Sequence, residues 1–162
     1  MNGVSKYTLF VGIKMKWYDK YTGFKYVHLG NSVSTGIDCL NLIRYIYLKE
    51  LNIEIPYSTQ DFCDDANEHW YSRIKNTKYY SPFSEFRNPK WGWSEVNKEE
   101  LNPFNVVTIF IGSSEIVNHC AMYVGDNKIL NIMIDKPSWL APYGSYYKQY
   151  TDGAYKWIGL NN

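Results

Sequence analysis

The 162-residue sequence lacks long apolar runs, an excess of charge of one sign and paired cysteine motifs, and each lack removes a class of function. Its first seventeen residues, MNGVSKYTLFVGIKMKW, hold no apolar stretch long enough for a signal peptide or a membrane span. A role outside a cytoplasm therefore requires another carrier. A net charge of +1 gives no bulk attraction to nucleic acid or to an anionic membrane. No basic stripe and no phosphate-binding glycine loop alters that. Three cysteines, Cys39, Cys63 and Cys120, cannot all pair and form no CxxC, which excludes a secreted disulfide framework. A reducing compartment or one catalytic thiol fits better. There is no internal repeat, low-complexity tract or interdomain linker, so residues 1–162 read as one domain.

Aromatic residues, by contrast, are abundant. Sixteen Tyr, six Trp and seven Phe make up 18% of the chain. One reading is a core and a protein interface rich in rings; the other is a surface for stacking on sugars, peptides or other subunits. With 45% hydrophobic and 20% charged residues the composition is that of a globular domain.

Local patterns divide the chain into a helical first part and a stranded second part. Residues 6–17 alternate only in part, as a short helix or irregular segment, and residues 18–35 read as loop, with a short extended piece over 21–27. The clearest helix spans 39–51: Cys39, Leu42, Ile43 and Ile46 fall on one face, Thr35-x-x-Asp38 matches a capping box before it, and Pro56 stops it. Ser58 or Thr59 can cap a second helix through Asp61, Phe62, Ala66, His69 and Trp70. Residues 57–100 as a whole read as a variable insertion. Strands follow at 105–111, 118–124 and 128–134, the last two joined by Gly125-Asp126-Asn127 as a hairpin, with a short final strand over 154–158. Helix first and antiparallel meander after predicts an α+β fold with the Cys39 helix packed on the sheet.

A thiol at a helix start can be a nucleophile or merely a small buried hydrophobe. Activation needs a base, and the chain has three histidines, His28, His69 and His119. His119 is the only one that begins a predicted strand, where a side chain is held more rigidly than in a loop. Alternation puts His119, Ala121 and Tyr123 on one face and Cys120, Met122 and Val124 on the other, so Cys120 is expected in the core. If the hairpin centres near Asp126, Asn131 lies close to opposite His119 and can orient its imidazole. The plain alternatives are a satisfied strand histidine and an exposed strand asparagine. The adjacent Asp38 carries a charge that works against a thiolate. Cys39, Cys63, His69, His119 and Cys120 match no zinc-ligand spacing, so neither a metal nor another cofactor is expected.

Taken in order, these residues resemble the NlpC-type cysteine peptidases, a papain-like family of cell-wall hydrolases, and most nearly their bacteriophage tail members. The family pattern GxxYxW is set against Gly12-Ile13-Lys14-Met15-Lys16-Trp17. GxDCxxLV is matched by Gly36-Ile37-Asp38-Cys39-Leu40-Asn41-Leu42-Ile43, and HxGIYxG by His119-Cys120-Ala121-Met122-Tyr123-Val124-Gly125. Asn131 falls where the family places its third polar residue. The resemblance covers about residues 8–56 and 91–135. It implies a papain-like NlpC-type fold, with Cys39 as nucleophile, His119 as base, Asn131 as its orienter, and the backbone N–H of Cys39 in the oxyanion hole. It also implies a substrate site formed by Asp38, with Trp17 and Tyr18 as the upstream aromatics.

Peptidoglycan-cutting members usually read Asp-Cys-Ser-Gly and hold the free amine of a stem peptide through the Asp, the Ser and an upstream Tyr. Here Leu40 and Asn41 replace Ser and Gly, and a leucine accepts no hydrogen bond from an ammonium. The function implied is hydrolysis of peptide bonds in bacterial peptidoglycan by a phage tail component, located in the virion and able to contact other tail proteins. Two alternatives stand beside it: a structural or assembly subunit of a tail tip with the same fold and little activity, and an acyl-transfer or amidase variant using the same thiol.

Overall fold

The computed structural model describes residues 15–61, 82–112 and 116–160. Residues Gly12–Lys14 of the first motif, Cys63 and His69 lie outside them, as do most of the two expected segments 6–17 and 58–70.

The chain enters through a short 3-10 turn at Asp19–Tyr21 and an extended stretch in which Tyr26 bridges Ile37. Two short strands, β1 (Asn31–Ser32) and β2 (Gly36–Ile37), then form a tight hairpin that delivers the chain to helix α1 (Cys39–Ile46). Gly36, at φ +135°, is required here, because a Cβ on it would lie 2.1 Å from a Val27 methyl. The helix starts as it does because Asp38 is its N-cap, its side chain accepting from Asn41 N at 2.8 Å. The expected capping box is thus shifted: Asp38 itself takes the capping place instead of closing a box begun at Thr35. The helix continues as a π-helical turn over Tyr47–Leu51 and ends at Asn52, left-handed at φ 54°, four residues before Pro56. Asparagine tolerates this conformation, so the stop precedes the proline.

Six antiparallel strands make the sheet, in the order β3-β8-β4-β5-β6-β7. They are β3 (Trp93–Glu95), β4 (Val106–Ile109), β5 (His119–Gly125), β6 (Lys128–Met133), β7 (Lys136–Pro142) and β8 (Thr151–Trp157). A short helix, α2 (Ser145–Tyr150), joins β7 to β8. The β5–β6 hairpin forms as expected, with Asp126 and Asn127 both at positive φ, 51° and 54°. Strand β7 is not apparent in the sequence pattern, because Pro137 and Pro142 interrupt it. As the sheet's edge strand it tolerates them.

Both faces of the central strands are covered. Toward α1, Leu40, Ile43 and Ile46 pack with Cys120, Met122, Val124, Leu130 and Ile132. On the far face Val107, Ile109, Ala121, Ile129, Ala141 and Ala154 form a second core. The α+β architecture with one long helix on an antiparallel sheet is the expected one. Many of the aromatic residues serve these cores: Tyr21, Tyr47, Tyr57, Phe83, Phe86, Trp93 and Tyr155 are all buried in the helix-side cluster.

Candidate active site

Helix α1 puts Cys39 in its first turn, half-buried, while His119 is the first residue of β5 and is buried. The two side chains line one cavity of about 160 Å³, together with Tyr26, Phe83, Ile111, Asn118, Ile132, Met133 and Ile134. The imidazole helps to lower the pKa of the Cys39 thiol. Its other side is fixed by Asn131, whose Oδ1 lies 3.0 Å from His119 Nε2. An amide oxygen only accepts, so Nε2 carries the proton and Nδ1 is the nitrogen free to exchange one with the thiol.

The register explains the His–Asn bond. Met122 pairs with Leu130, and continuing that pairing puts Asn131 opposite Ala121 rather than opposite His119. His119 and Asn131 share a sheet face two residues apart on the diagonal, a separation that long polar side chains can close. Asn131 is fully buried, and the hydrogen bond gives its carbonyl a partner there.

Cys120 is in the core as alternation requires, yet it is not a bystander. The neighbouring Cys120 thiol is the main cause holding the Cys39 thiol well below its ordinary pKa. Burial opposes that shift, and the hydrogen bond and charge of His119 reinforce it. Cys120 itself is pushed the other way, first by burial and then by Cys39. The two sulfurs are thus driven apart, Cys39 toward the thiolate and Cys120 toward the thiol. Strand alternation alone identifies the face of Cys120, not the neighbour across it.

Asp38 is 2% exposed. Burial, followed by the charge of Cys39, raises its carboxyl to about 8, against the opposing hydrogen bond of Asn41 N–H and the charge of Arg44. At neutral pH Asp38 is therefore uncharged, and the repulsion expected between it and a Cys39 thiolate is absent. Its side chain is spent on the helix cap and does not line the cavity. Leu40 and Asn41 are likewise committed to the fold. Leu40 is 1% exposed, and Asn41 donates to Gly30 O at 3.0 Å and accepts from Arg44 Nη1 at 2.9 Å.

Trp17 and Tyr18 are not brought to the thiol. The Tyr18 hydroxyl donates to Asp126 Oδ2 at 2.7 Å, and Trp17 stacks on Phe104 with ring centroids 4.6 Å apart. Both contacts lie at the Gly125 end of β5, about 20 Å from His119 at the usual strand rise. Met15 is exposed there. The aromatic that does line the cavity is Tyr26. Gly23-Phe24-Lys25-Tyr26-Val27-His28 also satisfies Gly-x-x-Tyr-x-aromatic, with a tyrosine where the Gly12–Trp17 alignment leaves Met15. A second copy of the pattern, nearer the cysteine, was the signal available in the sequence.

Among the described residues no cluster of His, Cys, Asp and Glu is arranged to hold a metal ion. No helix among them is long and apolar enough to cross a membrane.

Comparison with known proteins bears on the family and the fold. The model of the NlpC/P60 family matches residues 23–156, beginning at the Gly23 pattern and leaving out Gly12–Trp17. Among solved structures, an NlpC/P60 family protein from Bacillus cereus is 22% identical, with a TM-score of 0.56 over 86% of this chain and 37% of its own. A Staphylococcus aureus protein described as similar to a lipoprotein of the NLP/P60 family is also 22% identical, with a TM-score of 0.52 over 86% of this chain and 38% of its own. NlpC2 from Trichomonas vaginalis is 16% identical, with a TM-score of 0.54 over 86% of this chain and 43% of its own. The chain thus spans well under half the length of these three structures. No curated protein matches the chain. By its family match, its α+β fold and the order of its Cys, His and Asn segments, this chain belongs to the NlpC/P60 family.

Proposed function

We propose that this protein is a cysteine hydrolase that cleaves peptide bonds in bacterial peptidoglycan, with Cys39 as nucleophile, His119 as general base and acid, and Asn131 as its orienter. One observation carries the reading: a half-buried thiol with a lowered pKa lines the same cavity as a histidine whose far nitrogen is fixed by a buried asparagine. Membership of a family of cell-wall hydrolases supplies the substrate class.

The chemistry follows from the geometry. The Cys39 thiolate attacks the scissile carbonyl carbon while His119 holds the thiol's proton on Nδ1. Backbone N–H groups at the start of α1, that of Cys39 among them, stabilise the oxyanion, since a helix N-terminus carries unpaired donors and partial positive charge. The C–N bond breaks as His119 delivers its proton to the departing amine, leaving a thioester on Cys39. His119 then takes a proton from water, the hydroxide adds to the thioester carbonyl, and the C–S bond breaks to release the acid. Cys39→Ala should abolish hydrolysis of purified peptidoglycan with the fold intact by circular dichroism; undiminished activity refutes the assignment.

The setting we infer for this activity is a bacteriophage tail, with the protein carried in the virion to aid penetration of the wall and in contact with other tail proteins. The resemblance of Arg44-Tyr45-Ile46-Tyr47 and of Glu50-Leu51-Asn52-Ile53-Glu54-Ile55-Pro56 to phage tail members of the family supports this, and its test is detection of the protein in purified particles. A specific observation favours a second reading, a tail-tip structural subunit with little activity: Asp38, Leu40 and Asn41 all face inward to hold the fold. Fast labelling of Cys39 by an alkylating reagent at neutral pH favours the enzyme; slow labelling favours the subunit.

A further inference from the structure

Strand β4 ends at Ile109, which pairs with His119, the first residue of β5. Beyond that pair the regular ladder stops, and Gly112 turns the chain at φ +70°. A side chain carries the pairing on. Asn118 Oδ1 accepts from Ile111 N at 2.7 Å, and Asn118 Nδ2 donates to Ile111 O at 2.9 Å. One amide thus meets both main-chain groups of Ile111, as a facing residue of an antiparallel strand would. Asn118 N also donates to Ile109 O at 3.2 Å. The other edge of the same segment is tied by Phe110 N, which donates to Tyr150 O, at the end of α2, at 2.9 Å.

This clamp sits at the functional site. Asn118 is buried, and both it and Ile111 line the cavity that holds Cys39 and His119. Asn118 directly precedes His119, whose ring is held at Nε2 by Asn131. The two asparagines therefore hold the histidine at different points: Asn131 fixes the ring, and Asn118 fixes the backbone from which the ring projects. A ring held only at Nε2 pivots about that bond whenever the strand end frays, and strand ends open at little cost. A shift of about 1 Å in Nδ1 can cost up to about a hundredfold in rate. The two bonds to Ile111 need a donor and an acceptor on one planar group, one methylene from the backbone. Aspartate lacks the donor, and a hydroxyl offers one atom for two partners.

Resting on the proposed roles of Cys39 and His119, we propose that Asn118 is a positioning residue for the hydrolysis. Its amide clamps Ile111, fixes the start of β5 and so keeps His119 Nδ1 in place to exchange a proton with Cys39. It acts through the histidine, not on the reacting atoms.

The test reads turnover of a synthetic wall peptide and, separately, alkylation of Cys39 against pH. Asn118→Ala should lower kcat about tenfold and leave KM within about twofold. The alkylation midpoint should rise, because the imidazole that helps to lower it is no longer held in place. Ser138→Ala is the structural control. The buried Ser138 hydroxyl donates to Tyr21 O at 2.7 Å and accepts from Phe24 N at 2.8 Å, two bonds of similar length made away from the Cys39 cavity. This variant should lower the thermal melt about as much as Asn118→Ala, with kcat and the midpoint unchanged. Asn118→Thr, whose hydroxyl can serve one of the two Ile111 groups, should fall between wild type and alanine, and it carries the test if the alanine variant does not fold. A lowered melt with kcat and midpoint unchanged, or equal kcat losses in Asn118→Ala and Ser138→Ala, overturns the proposal. A raised KM at unchanged kcat also overturns it and assigns Asn118 to the cavity wall alone. Alkylation is read without turnover, so the clamp is judged apart from the hydrolase reading, which fails if Cys39→Ala retains activity.

Discussion

Strand β5 has an aspartate near each of its ends, and the two behave in opposite ways. Asp126, in the turn beyond Gly125, is half exposed, accepts from Tyr18 and pairs with Lys16 at 3.2 Å, so its carboxyl is held below the usual value. Asp38, at the His119 end, caps α1 but is buried, and burial outweighs its hydrogen bonds and the charge of Arg44, lifting it to about 8. A carboxylate's sequence neighbours therefore do not reveal its charge; its solvation does. The consequence reaches function. One end of β5 is a solvated ion-pair cluster that fastens the N-terminal segment. The other is a nearly dry site in which the Cys39 thiol pKa is lowered while the carboxyl of Asp38 is raised.

The comparison can be broken first at the histidine. His119→Ala should lower hydrolysis of peptidoglycan about 10³-fold, within the range for loss of a general base, while Tyr18→Phe at the far end should leave the rate unchanged. Equal losses in the two would erase the distinction between the ends.

Asp38 gives the next largest effect, on stability. Its folded pKa of about 8 lies above the unfolded value, so the folded state holds a proton that the unfolded state releases from about pH 4 upward. Wild-type stability from this group is complete below pH 4 and is lost as pH rises toward 8. Asp38→Asn keeps the capping oxygen and removes the titration. Denaturant melts should show the variant about 1–3 kcal/mol more stable than wild type at pH 9, an advantage that shrinks toward pH 4. A pH-independent difference would show that Asp38 is ionised in the fold.

Cys120 sharpens the account further. Cys120→Ala removes the neighbouring thiol that is the main cause of the lowered Cys39 pKa and leaves a small cavity costing about 1 kcal/mol. The pH midpoint for alkylation of Cys39 should move up by about one unit, with the site otherwise intact. An unmoved midpoint would leave His119 as the sole cause. The smallest effect belongs to Tyr18→Phe, whose lost hydrogen bond to the exposed Asp126 should lower the thermal melt least of the variants.

Much of this was legible in the sequence. The α1 face, the β5–β6 hairpin and the Cys39, His119 and Asn131 set follow from periodicity, turn chemistry and the order of the segments. Other features depend on tertiary context. The edge strand β7 looks broken by its prolines, and β3 is three residues long. Helix α2 is only six residues long and packs on the far-face core through the partly buried Tyr147 and Tyr150 alone, too short a pattern to detect. Tyr26 went unassigned because an aromatic pattern was also matched further upstream at Trp17, and only its packing beside Cys39 separates the two. Alternation places Cys120 on the helix-facing side of β5, but no one-dimensional pattern reveals that the residue across from it is the other thiol.

The central claim is that the neighbours of Cys39 lower its thiol pKa. Its alkylation rate against pH, followed by mass spectrometry of the labelled peptide, tests this most directly. The account predicts a midpoint well below the ordinary thiol value of about 8.5, moving upward in both His119→Ala and Cys120→Ala. A midpoint at the ordinary value, unchanged in either variant, would contradict it.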